Sequence, residues 1–204
     1  MIIQVRHSSN TGNVPISLEM GELALNSNDQ LLYYKHANGA LSIMANGASL
    51  FAYSMAQVSS NLSQLPANTN PYRVTFNSND ILIGMTHAPG NSRVIVSSSG
   101  WYTIGVRGQL YRTIGGGNLH YADFWFRKNG VDITKSATRT SLKNVNVFDI
   151  VVNNLTLRMN TNDYIELIQA VDDATQGMGL TAPVTLAGGP SIPSVIMTIT
   201  KISN

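Results

Sequence analysis

Polar and apolar side chains alternate along the second half of the chain, most clearly in residues 101–110. There Tyr102 and Ile104 fall on one side of the pattern, while Trp101 falls on the other. Because successive side chains of a β-strand point to opposite faces, this period predicts a strand with one buried and one outward face. Residues 121–127, which contain four aromatic side chains, predict a second strand that pairs with the first across a glycine-rich connection.

The β pattern continues through residues 72–204. Turn signals rich in asparagine, glycine and proline separate eight candidate strands. These strands cover residues 72–76, 81–85, 93–96, 101–110, 121–128, 145–153, 163–170 and 194–202. Eight strands with regular turns predict an all-β head, a two-sheet sandwich or jelly roll. Between the last two strands, residues 171–193 form a long insertion of the kind that is usually functional or mobile.

Residues 1–46 are predicted to form a separate small unit. Apolar stretches at residues 21–26, 31–35 and 40–44 are separated by Asn-Asp and Asn-Gly turns. This pattern predicts a β-meander of three strands at most. Since so few strands bury little surface, we expect the unit to pack against other copies of itself or against another protein.

Residues 47–71 are predicted to be a neck between the two units. Five apolar residues in this segment recur at the heptad spacing of a coiled-coil seam. They are Phe51, Met55, Val58, Leu62 and Leu65. Two heptads are too few to form a coiled coil alone. The segment is therefore either a short helical stalk, held in a trimer by the flanking domains, or a linker that matches the heptad pattern by chance.

Composition and charge narrow the classes of function. Of the 204 residues 43% are hydrophobic, enough for a buried core, but only 12% are charged. The net charge is +2 and the basic residues are scattered, so nucleic acid is not an expected partner. The absence of cysteine excludes a disulfide scaffold, a thiol nucleophile and cysteine-ligated zinc. With no signal peptide and no apolar run near 18 residues, we expect neither export by a signal of its own nor membrane insertion.

No residue pattern predicts an active site, a cofactor site or a metal site. The four histidines are isolated along the sequence. Asp163 and Glu166 lie three apart on a predicted strand, so they point to opposite faces and do not form an acid–base pair. Asp172 and Asp173 supply two carboxylates, short of the roughly six to eight oxygens that calcium takes. The remaining candidates are residues 112–120, 135–144 and 171–193, polar connections that either bind a host glycan or protein or merely cap the sandwich.

Two stretches resemble known families. Residues 15–39, P-x-x-L-x-x-GELALN-x-x-D-x-x-LYY-x-x-x-x-G, resemble the N-terminal module of many bacteriophage tail-fibre and other virion appendage proteins. The resemblance implies an anchor that docks to other virion proteins. The residues of the motif that we assign to this anchor are Pro15, Gly21, Glu22, Leu23, Ala24, Leu25 and Asn26.

Residues 72–204 are similar to the C1q/TNF-like jelly roll. Four motifs occur in the order of that family: GWYTI, FRKNG, LRMNTNDYIEL and a closing hydrophobic strand at residues 195–202. Asn162-Asp163 stands where the family usually has Gly-Asp. The resemblance implies tight trimers, in which six residues divide between the core and the trimer interface. They are Trp101, Tyr102, Phe124, Phe126, Tyr164 and Val195.

Together these patterns predict a non-enzymatic structural protein of a phage virion. It would be a homotrimeric fibre, spike or capsid-decorating protein, with residues 1–46 docked to the particle and residues 72–204 displayed as the head. An alternative is a capsid cement protein that stabilises the particle without a receptor. A third, less favoured alternative is an enzyme that degrades cell-surface polysaccharide.

Overall fold

The computed structural model describes residues 5–46 and 53–204, and the chain divides into two units, residues 1–52 and residues 53–204. Apart from one turn of 3₁₀ helix, the regular elements of the described ranges are all β-strands. The predicted all-β class is therefore confirmed. The second unit begins at Tyr53 and not at residue 72, so it takes in most of the segment that was interpreted as a neck.

The N-terminal unit is a four-stranded sheet. Its strands are β1 (Arg6–Ser8), β2 (Leu23–Asn26), β3 (Leu31–Lys35) and β4 (Leu41–Asn46), in that order across the sheet. Strands β2 to β4 form the predicted antiparallel meander. The expectation of three strands at most was wrong, because β1 adds a fourth strand parallel to β2. With only three residues, β1 is too short to show an alternation in the sequence.

The second unit is a sandwich of two sheets. Its strands are β5 (Met55–Ser60), β6 (Tyr72–Arg73), β7 (Ser78–Ile83), β8 (Met85–Thr86), β9 (Val94–Val96), β10 (Gly100–Arg112), β11 (His120–Lys128), β12 (Val131–Asp132), β13 (Thr138–Leu142), β14 (Phe148–Met159), β15 (Tyr164–Val171), β16 (Met178–Leu180) and β17 (Val195–Ser203). One sheet, the β10 sheet, has the order β14-β10-β17-β5-β7, and β16 also pairs with β10. The other, the β11 sheet, has the order β12-β11-β15-β9-β8, with β13 on β11 and β6 on β15.

The connectivity of the eight main strands is that of a jelly roll. In chain order these strands are β5, β9, β10, β11, β13, β14, β15 and β17, and consecutive strands mostly alternate between the two sheets. The prediction that residues 121–127 pair with residues 101–110 was therefore wrong. Strand β10 pairs with β14, β17 and β16, whereas β11 pairs with β15, β13 and β12. The glycine-rich connection crosses from one sheet to the other.

The segment interpreted as either a helical stalk or a linker contains a core strand of the sandwich, so both interpretations were wrong for residues 55–60. Residues Met55–Ser60 form β5, which lies between β17 and β7 in the β10 sheet. Their burial alternates strictly, with Ala56 and Val58 fully buried. The heptad spacing that suggested a helix is a coincidence, because small residues at the inward positions 56 and 60 hide the period of two.

The core lies between the two sheets and uses the inward face of each strand. Tyr102, Ile104 and Val106 of β10 are buried, as the alternation predicted. They belong to the same apolar cluster as Phe124 and Phe126, which come from the opposite sheet.

Candidate functional surfaces

The sandwich has two distinct ends. The chain begins this unit at Tyr53, next to β5, and Met55 of β5 lies opposite Thr200 near the end of β17. Ser203 in turn lies opposite Trp101, at the start of β10. Both ends of the unit's chain therefore lie at one end of β10, which we call the termini end. The other end, at Arg112, is about 40 Å away along the 13-residue strand, and we call it the loop end.

Buried Arg112 holds the loop end together. Its side chain is 1% exposed and has no carboxylate partner among the residues that the structure describes. Its guanidinium donates to the carbonyls of Ile114 (2.9 Å), Asn118 (2.9 Å) and Lys143 (3.0 Å), and to the side-chain oxygen of Gln176. One side chain thus fixes three connections: residues 113–119, 143–147 and 172–177. Of the three predicted loops, residues 135–144 reach this end only in part, since most of that stretch is β13 or precedes it.

The side-chain amide of Gln176 links the Arg112 guanidinium to the carboxylate of Asp173, so the two charged groups are connected without touching. Gln176 accepts from Arg112 and donates to the Asp173 carboxylate at 3.0 Å. Asp173 also caps the 3₁₀ turn Ala174–Gln176, and hydrogen bonds from Thr175 and then Gln176 lower the pKa of its carboxyl. The predicted insertion 171–193 is therefore structured in its first half: this turn is followed by β16, which pairs with the end of β10.

The outward face of the β10 sheet carries an uncovered apolar strip. It consists of Tyr111, Phe148, Ile150, Val152 and Ile196. The rings of Tyr111 and Phe148 stack with their centroids 4.4 Å apart, and the side chain of Ile150 is 61% exposed. Exposed apolar side chains grouped in this way usually mark an interaction surface. The predicted core-or-interface residue Trp101 lies on the same face, at the termini end, and is 45% exposed.

The other residues assigned to the core or the interface separate clearly. Tyr102, Phe124, Phe126 and Val195 are fully buried between the sheets. Tyr164 lies on the outward face of the β11 sheet, where the guanidinium of Arg93 is 4.4 Å from the centre of its ring.

A buried carboxylate lies on the outward face of the β11 sheet. Glu166 is fully buried and accepts from Ser92 at 2.7 Å, with the Nε atoms of Arg93 and Arg73 at 3.4 and 3.5 Å. It ties the segments before and after β7–β8 to β15. Asp163 instead binds Lys128 and Asn129 in the neighbouring turns, so the two acids do not form a pair.

In the N-terminal unit, Asn26 at the end of the GELALN motif is the centre of a hydrogen-bond network. Asn26 is 1% exposed and donates to the carbonyls of Asn10 (2.9 Å) and Asn13 (3.1 Å). It also bonds to the carboxylate of Asp29 at 2.7 Å, and that carboxylate accepts from the Gly12 amide at 2.6 Å. The spacing of Asn26 and Asp29 in the motif is thus explained by local folding.

The first two residues of the motif, Gly21 and Glu22, connect β2 to its two neighbouring strands, β3 and β1. Gly21 takes a positive φ of 81° and donates its amide to the Lys35 carbonyl at 3.0 Å. Glu22 pairs with Arg6 at 2.8 Å, which fastens β1 to the meander. Pro15 lines a cavity of about 340 Å³ together with Ala24 and other residues of β1 to β3.

The two faces of the N-terminal sheet differ. One face holds the small core of Leu18, Ala24 and Tyr33. The alternation along β2 and β3 places Leu23, Leu25, Leu32 and Tyr34 on the other face, where each is partly or largely exposed. This second face is apolar.

The residues predicted as a trimeric neck do not form one seam. Val58 is buried in the sandwich core, and Met55 lies on the outward face of β5. Leu62 and Leu65 are 52% and 38% exposed in the connection that follows β5. Phe51 lies outside the described residues.

Sequence reasoning missed Arg112 as a structural centre. A signal was present, because Arg112 continues the inward positions 102 to 110 of the alternation.

Among residues 5–46 and 53–204, no group of three or more His, Asp or Glu side chains is placed to hold a metal. No helix in the same ranges is long and apolar enough to cross a membrane.

Neither a protein-family model nor a curated protein matches this chain.

Proposed function

We propose that this chain is a non-enzymatic structural protein of a phage virion, a homotrimeric fibre, spike or capsid-decorating protein with a C1q/TNF-like head. The observation that carries the proposal is the polarity of the sandwich. Its chain enters and leaves at the termini end, while three connections gathered by Arg112 occupy the loop end. A head mounted by its termini displays the loop end outward.

The apolar strip supports self-association of the head. Three exposed side chains of one strand, Phe148, Ile150 and Val152, stand in a row on the outward face of the β10 sheet. Burial of such side chains is worth roughly 25 cal/mol per Å² of apolar surface. A trimer would join three loop ends on one axis, so weak binding of each to a host glycan or protein would add up as avidity.

The uncovered face of the N-terminal sheet supports a docking role for that unit. Among the described residues of this unit, three apolar side chains form its buried core, which is small for an isolated domain of this size. The face formed by Leu23, Leu25, Leu32 and Tyr34 is available for another virion protein.

The test is the binding of labelled full-length protein to whole bacterial cells. A bulky residue at the loop end, Gly116→Trp, should reduce binding at least tenfold, since a side chain at Gly116 meets only open space within the protein. The matched control Thr161→Trp, in the turn at the termini end, should bind as the unmodified protein does.

A second readout separates the cement alternative. Phage particles that lack the protein should keep their heat resistance and lose adsorption to host cells. The reverse result, with heat resistance lost and adsorption unchanged, would identify a capsid cement protein. Release of reducing ends from host polysaccharide by the purified protein would instead revive an enzyme.

A further inference from the structure

Among the described residues, three charged side chains on the outward face of the β10 sheet lack a partner of opposite charge: Arg107, Arg158 and Asp80. Arg107, on β10, makes no hydrogen bond or ion pair with any of the described residues. Its neighbours across the strands are Val152 on one side and Ile196 on the other. A guanidinium surrounded by an apolar strip is costly to bury unless an acid meets it.

Asp80 is the matching acid at the other edge of the same face. It belongs to the edge strand β7, at the irregularity where Ile81 lies opposite Gln57 but Asn79 lies opposite Val58. Asp80 is the extra residue of this bulge, and bulges commonly redirect a side chain at a sheet edge.

The bulge directs the Asp80 carboxylate over the outward face. There it accepts from the hydroxyls of Ser78 (2.8 Å) and Ser59 (3.1 Å) and lies 3.4 Å from the amide nitrogen of Gln57. All three donors are neutral. Asp80 has no cationic partner among residues 5–46 and 53–204.

Arg107 and Asp80 cannot neutralise each other within one chain. They lie on β10 and β7, with β17 and β5 between them, about 14 Å apart at a strand spacing of about 4.8 Å. The face they share spans five strands, from β14 to β7, or about 24 Å at this spacing.

We infer that this face binds a second copy of the same chain, with Arg107 of one copy paired to Asp80 of the next. The inference rests on the proposed self-association and names its contact. Repeated head to tail, the pair closes a ring of copies, as heterologous interfaces do when the rotation closes. Burial of the apolar strip stabilises the contact between copies, and the ion pair determines that β10 of one copy lies next to β7 of the next.

Charge reversal of the full-length protein tests the pair, with sedimentation velocity over a range of concentrations as the readout. Arg107→Asp and Asp80→Arg should each raise the dissociation constant of the oligomer by roughly a hundredfold, because each places like charges together. The double variant should recover most of the loss. Lys135→Asp makes the same change of charge on an exposed connection between β12 and β13 and should have no effect. Thermal unfolding followed by circular dichroism verifies that each variant is folded.

Mixing the two single variants distinguishes ring symmetries. In a two-fold dimer both contacts become opposite in charge, so the mixture should assemble as well as the unmodified protein. A three-membered ring built from two kinds of subunit always keeps one like-charge junction, so the mixture should not reform a stable trimer. Recovery of full assembly as a dimer would keep the pair and replace the trimer.

The remaining outcomes separate this inference from the proposed function. An unmodified protein that is monomeric at micromolar concentration would overturn both the trimer and the ion pair. An oligomer that survives both single reversals, or a double variant as weak as the sum of the two, would overturn the ion pair alone and leave the oligomeric virion protein standing.

Discussion

The two units of this chain are both β-sheets, but they are held together by different means. Within residues 5–46 and 53–204, the sandwich has 25 buried apolar residues in one cluster, whereas the N-terminal unit has three. The N-terminal unit compensates with polar contacts, chiefly the bonds of buried Asn26 and the ion pair of Glu22. The sandwich is therefore held mainly by its apolar core, while the N-terminal unit depends more on polar contacts and carries a partly exposed apolar face.

The largest expected effect tests the core of the sandwich. Phe126→Ala should lower the free energy of unfolding by about 3–5 kcal/mol, because a fully buried ring is replaced by a cavity. Urea unfolding at a fixed protein concentration measures it. The control Phe148→Ala removes a ring that is 37% exposed on the outward face, and it should cost the isolated fold less than about 1 kcal/mol. Equal losses for the two variants would contradict the assignment of the core.

A smaller effect is expected in the N-terminal unit. Asn26→Ala leaves the carbonyls of Asn10 and Asn13 without their donor, which should cost about 1–3 kcal/mol. Because the unit has so little core, the amides of β2 and β3 should exchange hydrogen faster by roughly ten- to a hundredfold, with the sandwich unchanged.

Asn38→Ala is the matched control for this change. It removes the same side chain from an exposed turn, where Asn38 accepts one bond from the Ala40 amide. Its exchange rates should stay close to those of the unmodified chain. If the sandwich amides also lost protection in Asn26→Ala, the two units would not be independent.

The smallest effect concerns acid stability at the termini end of the sandwich. Burial would raise the pKa of Asp163, but bonds from the Asn160 amide and the Asn129 side chain, together with Lys128, outweigh it and lower the pKa. A lowered pKa means that the stabilisation is present above the ordinary carboxyl pKa of about 3.9 and is lost as the pH falls below it.

Asp163→Asn should therefore flatten the fall in stability between about pH 4 and pH 2, at a cost of about 1 kcal/mol at neutral pH. Urea unfolding across this range measures the change. Two parallel pH curves would show that Asp163 does not contribute to the acid response.

Much of the sandwich could be predicted because apolar and polar side chains alternate visibly along its long strands. The period of β10 and the turns around β11, β14 and β17 are visible in the sequence, since large apolar side chains such as Tyr102, Ile104 and Val106 mark many of the inward positions. Pairing was not visible. Strands that are adjacent in sequence usually pair, and nothing in residues 113–119 reveals that their connection crosses to the opposite sheet.

The candidate surfaces were harder to predict. In β5 the inward positions are partly occupied by small residues, so a heptad spacing stood out more clearly than the true period of two. Arg112 has the inward position of an apolar residue, and a charged side chain is normally expected outside. The meeting of Arg107 and Asp80 on one face depends on sheet order and on a bulge, neither of which a local pattern encodes.

Strand β17 is the last strand of the sandwich to be synthesised, yet it lies in the middle of the β10 sheet, between β10 and β5. Until it is made, the hairpin of β5 with β7 and the ladder of β10 with β14 are two halves with no strand to join them. Contacts between positions so distant in sequence make folding slow. During translation the face that carries Arg107 and Asp80 therefore exists only as separate pieces until β17 is added.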